Sequence, residues 1–135
     1  MRYSMFYRER PKEIIRKEKI YKDYICKLGK IEFIELRHLY DMDYMLGISI
    51  GFDIGDGGAV CTDIYINMSS EANWSCDTER MQSYWNFLQT IQDMLLDAKK
   101  ESFDKLKGIP VEMFFNGNGG LGDEIIGFRI LKEVL

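Results

Sequence analysis

The chain has 135 residues, 46% of them apolar and 13% aromatic, with a formal net charge of −4. That length and apolar content suit one folded domain with a sizeable core and exclude a disordered tail or a collagen-like fibre. No apolar run approaches the ~20 residues of a membrane-spanning helix, and the charged start lacks the apolar centre of a signal peptide, so a cytoplasmic location is expected.

The charge is unevenly spread. Residues 1–30 carry ten Lys or Arg against four acids, a net of +6, whereas residues 31–135 carry eight against eighteen, a net of −10. The division reads as a basic arm over 1–30 and an acidic α+β domain over 31–135. In the arm, Arg8, Arg10, Lys12, Arg16 and Lys19 are the candidate contacts to a phosphate, an acidic partner or the acidic body itself. Pro11 suits a first helical turn, Ile14, Ile15, Ile20, Tyr21, Tyr24, Ile25 and Leu28 mark one face, and Gly29 suits a C-terminal cap, so a helix is expected over 12–28.

Strands follow. Residues 31–40 form the first, ahead of a turn at 41–43. Over 44–54, Leu46, Ile48, Ile50, Phe52 and Ile54 share one parity, and Gly47, Ser49, Gly51 and Asp53 share the other. Two glycines on the second face imply a close approach there. A glycine-rich loop at 55–58 leads to a strand over 59–68, giving a hairpin. Asp53, Asp56 and Asp63 surround that loop as candidate ligand or partner contacts, although their spacing does not match a calcium loop.

Residues 77–96 carry the clearest helical period. Met81, Tyr84, Trp85, Leu88, Ile91, Leu95 and Leu96 fall on one face, which is expected to cover the sheet, so that Leu88→Asp would unfold the protein. Trp74, Arg80, Tyr84 and Trp85 have the aromatic planes and guanidinium that suit a nucleobase and its phosphates, and Trp74, Asp77, Arg80 and Tyr84 near the helix start, with Arg129, are the candidate ligand or partner contacts. A polar segment stopped by Gly108 precedes strands at 111–115 and 124–135. Tight turns imply antiparallel pairing, so the expected fold is α+β: about five antiparallel strands packed on one face by the central helix.

Catalytic patterns are weak. Gly117 to Gly122 matches G-x-G-x-x-G, but the residues after it read as strand, without the helix N-terminus a dinucleotide site requires. The single histidine, His38, has no local partner for a triad. Cys26, Cys61 and Cys76 match no metal spacing and read as free thiols. No enzyme activity, cofactor or metal is expected.

The hairpin at Leu46–Phe52, Gly57-Gly58, the helix, the run from Leu106 to Glu112 and the closing run from Phe128 to Leu135 together resemble small proteins encoded by phages and prophages of Gram-positive bacteria. Some of these disarm bacterial immunity. The resemblance implies an anti-CRISPR that binds and blocks a Cas effector. Its alternative is a nucleotide-signal sponge like those of the Thoeris anti-defence type, sequestering a cyclic ADP-ribose or cyclic oligonucleotide messenger; on either reading a homo-oligomer is an expected partner. Sponge-like relatives carry an Arg after the Leu-x-Gly turn and a Gly-Phe-Gly-Gly-Tyr run after the hairpin. Here Glu112 and Gly57-Gly58-Ala59-Val60 stand at those places.

Overall fold

A computed structural model describes residues 24–69, 77–116 and 125–135. Its elements are strands β1 (Tyr24–Leu39), β2 (Met42–Gly55) and β3 (Gly58–Asn67), helix α1 (Asp77–Ala98), and strands β4 (Pro110–Asn116) and β5 (Ile125–Ile130). The five strands form one antiparallel sheet in the order β3-β2-β1-β4-β5. The α+β class, the antiparallel pairing and the hairpin with its glycine-rich tip agree with the sequence reading.

β1 sits at the centre and changes partners along its length. Tyr24 to Lys30 pair with β4, and Lys30 to Leu39 pair with β2. Beyond Pro110 the β4 side continues through the preceding loop, where Ile31 N–H donates to the Ile109 carbonyl at 2.9 Å and Gly108 N–H to the Ile31 carbonyl at 2.7 Å. Tyr24 to Leu28 are therefore strand, not the end of the expected helix. In the ladder Ile25 lies opposite Phe115 and Gly29 opposite Val111, and tertiary pairing with an apolar strand overrides the local helical pattern. The rest of the expected arm lies outside the described residues.

One face of the sheet holds the core. Ile48, Ile50 and Phe52 of β2 are wholly buried with Ile31, Val111, Met113, Phe128 and Ile130. The Phe52 and Phe128 rings meet edge-on, centroids 5.0 Å apart at 62°, a geometry that favours aromatic pairs. α1 covers this face with Phe87, Met94 and Ala98, while Ser83 is also buried.

The covering face of α1 is not the one its hydropathy marks. Met81, Trp85, Leu88 and Leu96 are each about two-thirds exposed, while Tyr84, Ile91 and Leu95 are half-buried. At 100° per residue, the predicted stripe lies about a third of a turn from the buried one. Small Ser83 and Ala98 let the helix approach the sheet at both ends, with Phe87 and Met94 filling the middle. Hydropathy scores Ser and Ala too low to reveal such a face. Leu88, 63% exposed, is not a core residue, and Leu88→Asp does not remove core packing.

The helix ends two residues later than expected. Lys99 adopts φ +56°. Its N–H reaches the Leu96 carbonyl at 3.1 Å, and the Lys100 N–H reaches that of Leu95 at 3.0 Å, a Schellman closure built without glycine. A short 3-10 turn at Phe103–Lys105 follows. The expected last strand is also shorter. After Leu131 N–H bonds the Pro110 carbonyl at 3.0 Å the ladder stops, because β4 begins at a residue that has no N–H to donate, and Lys132–Val134 turn as 3-10.

Candidate functional site

The open face of the β1–β3 meander forms a regular grid. Across β1, β2 and β3, the opposed residues are Phe33–Gly51–Cys61, Glu35–Ser49–Asp63 and Arg37–Gly47–Tyr65. The period-two pattern of β2 puts Gly, Ser and Gly down the middle, so large side chains on the outer strands wall a trough. This shallow depression of about 440 Å³ is lined by Phe33, Arg37, Ser49, Cys61, Asp63 and Tyr65 among others. The close approach expected over the glycines is the Phe33 ring, which occupies the place a Gly51 Cβ would take.

The trough floor is polar and tied together. The Ser49 hydroxyl donates to the Asp63 carboxylate in a short bond and lies 3.2 Å from the Tyr65 hydroxyl. Ser49 is buried, whereas Glu35 and Asp63 are exposed. Burial, then Asp63 and then Glu32, push the Cys61 thiol above its usual value. Such a thiol is a poor nucleophile. Residues 24–69 as a whole carry seven acidic against three basic side chains.

The residues singled out from the sequence are dispersed. Asp53 accepts the Gly55 N–H at 2.8 Å and shapes the hairpin turn, in which Asp56 holds φ +53°. Only Asp63 of this acidic trio lies in the trough. Asp77 opens α1 on the surface. Arg80 fastens the helix start to the end of β3. Its Nε donates to the Tyr84 hydroxyl at 2.8 Å, its Nη2 to the Ser69 carbonyl at 3.2 Å, and its guanidinium lies 5.7 Å from the Tyr84 ring centre. Arg129, far from Arg80 in the sheet, donates Nε to Glu112 at 3.0 Å and grips Glu133 with both terminal nitrogens at 3.2 and 2.9 Å. Hydrogen bonds to Glu133 and Glu112 hold its pKa above the ordinary value despite partial burial, and the same contact lowers that of Glu133. A phosphate at Arg129 would have to displace two carboxylates.

Trp74, Arg8, Arg10, Lys12, Arg16, Lys19, Cys76 and the Gly117–Gly122 run lie outside the described residues. His38 is exposed, its Nδ1 2.8 Å from the Leu39 carbonyl. Among the described residues no group of three His, Cys, Asp or Glu side chains is placed to hold a metal ion, and no helix is long and apolar enough to cross a membrane. Sequence reasoning passed over Ser49, Tyr65 and Arg37. Their signal was in the register of three strands, where a slip of one residue would have sent every one of them to the other face. Searched against protein-family models, curated proteins and solved structures, the chain matches none.

Proposed function

We propose that the protein is a non-enzymatic contact inhibitor of the anti-defence kind that the phage and prophage resemblance implies, acting in the host cytoplasm on a nucleic-acid-guided effector such as a Cas nuclease. The observation that carries this reading is the acidic trough. Glu35 and Asp63 flank buried Ser49 on an exposed sheet face, and a basic channel built for a nucleic-acid backbone has the complementary charge. Such a face competes with DNA or RNA for the same lysines and arginines and gains encounter rate from long-range attraction. The nucleotide-sponge alternative draws on Arg80 and Arg129, whose guanidinium groups already hold protein partners.

The test is a cleavage assay with a purified effector. Excess protein is expected to stop target cleavage, with an affinity that falls steeply as salt rises. The double variant Glu35→Lys/Asp63→Lys is expected to weaken inhibition by about tenfold or more, mainly by slowing association. Cleavage that continues at full rate across a panel of effectors would remove this reading. Release of intact nucleotide on heating protein taken from signalling cells would replace it with the sponge.

A further inference from the structure

The apolar stripe that α1 leaves in solvent has the pattern of a helix–helix seam. Exposed Met81, Trp85, Leu88 and Gln92 and half-buried Leu95 follow one another at steps of four, three, four and three, with exposed Leu96 beside them. That is the spacing with which two helices pack at a shallow angle. The stripe lies about a third of a turn from Phe87 and Met94, which hold the sheet. Met81, Trp85, Leu88 and Leu96 leave roughly 500 Å² of mostly apolar surface there, at the upper end of the largest patch carried by a typical monomer.

We propose that this stripe is the contact between two copies of the chain, with α1 packed antiparallel to its mate across a two-fold axis at Leu88. Three observations select a second copy as occupant. First, residues 81–92 contain no charged side chain. A two-fold contact brings residues near the axis against their own mates, so a charge there would repel itself, and this stretch has none. Second, the stripe is edged by the uncharged Gln82, Asn86 and Gln89; Gln82 donates to Asn86 at 2.9 Å, and Gln89 to Gln92 at 3.2 Å and to the Asp93 carboxylate at 3.0 Å. Third, the ends are complementary. Counting outward from Leu88, Met81 faces Leu95 and Asp77 faces Lys99. The first turn holds Asp77 and Glu79, and the helix is followed by Lys99, Lys100 and Glu101, of which Glu101 is paired with Lys105, so an antiparallel pair sets Asp77 against Lys99 at both ends and opposes the two helix dipoles. Lys99 Nζ already donates to the Leu135 carbonyl at 3.1 Å, which keeps the ammonium at that end. The two stripes together reach roughly the 1,000 Å² that a specific interface needs.

The experiment is the solution mass of the full chain by light scattering or sedimentation. Wild type at roughly 100 µM, well above the micromolar constants common for modest interfaces, is expected at twice the 15.9 kDa chain mass. Leu88→Asp places two carboxylates on the axis and is expected to raise the dissociation constant by about a hundredfold or more, with far-ultraviolet circular dichroism unchanged. Should that variant not fold, Leu88→Gln is read the same way and is expected to shift the constant in the same direction. Asp77→Lys and Lys99→Asp should each weaken the dimer, and the double swap should restore it. A wild-type monomer at that concentration, a dimer indifferent to both Leu88 variants, or a double swap that restores nothing overturns the proposal.

Discussion

Arg129→Ala is expected to lower the stability of the fold by about 2–3 kcal/mol, the range for breaking a buried ion pair discounted for partial exposure. Glu112 is 8% exposed as a whole residue, and the side chains of Arg129 and Glu112 are 19% and 11% exposed. Removing the guanidinium takes its 3.0 Å hydrogen bond and its compensating charge from the Glu112 carboxylate at a place water reaches poorly. The loss would be a large fraction of the roughly 5–15 kcal/mol that holds a domain of this size together. The double variant Arg129→Met/Glu112→Leu should recover most of it, because an apolar pair of similar volume leaves no charge to hold out of water. Denaturant unfolding of the three proteins decides. An Arg129→Ala protein as stable as the parent would show that the arginine is not structural and return it to the ligand-binding candidates.

Gly29→Val is expected to prevent cooperative folding, and Gly29→Ala to cost about 1–3 kcal/mol, the usual range for overpacking. Gly29 stands where β1 passes from β4 to β2. A Cβ there would lie 2.6 Å from the Asp53 carbonyl oxygen and 2.7 Å from the Met113 terminal methyl. The methyl could rotate away, but the carbonyl belongs to the neighbouring strand and moves only if the sheet opens. Gly51→Ala is the internal control. The three atoms nearest its Cβ all belong to the Phe33 ring, an exposed side chain free to swing outward, so its cost should be the smaller of the two. Thermal melts that rank the two alanine variants in the opposite order would refute the distinction between a backbone obstacle and a side-chain one.

Much of the fold was legible in the chain because alternation and turn chemistry act locally. The hairpin across Gly55 to Gly58, the strand with Ile48, Ile50 and Phe52 inward, and the helix from Asp77 all lie where their patterns put them. What failed depended on partners distant in sequence. Tyr24 to Leu28 look helical until Asn116 to Glu112 are laid beside them. Leu88 looks buried until Phe87 and Met94 are seen to reach the sheet first. The nominated acids and arginines were judged by residue type; of those described, Asp53 and Asp56 shape a turn, Arg80 bonds Tyr84 and Ser69, and Arg129 is held in ion pairs. The trough was visible only in outline, since the small residues of β2 announce an open face but not which side chains of β1 and β3 stand over it.

The change of partner along β1 also divides the folding of the chain in time. Its later half closes on β2 through a turn at Tyr40 and Asp41, so those contacts form at little cost in chain entropy. Its earlier half must find Asn116, 92 residues from Tyr24, and the cost and slowness of pairing grow with such separation. The β1–β3 meander is therefore expected to be an early unit, with β4 and β5 joining once the helix has brought the distant segment back. Pulse-labelled exchange should protect the amides of 46–66 before those of 111–115, and simultaneous protection of both sets would contradict this order. In the interval the meander would expose Ile48, Ile50 and Phe52 with nothing over them, so the steps that bring α1 into place also set how long the chain is open to aggregation.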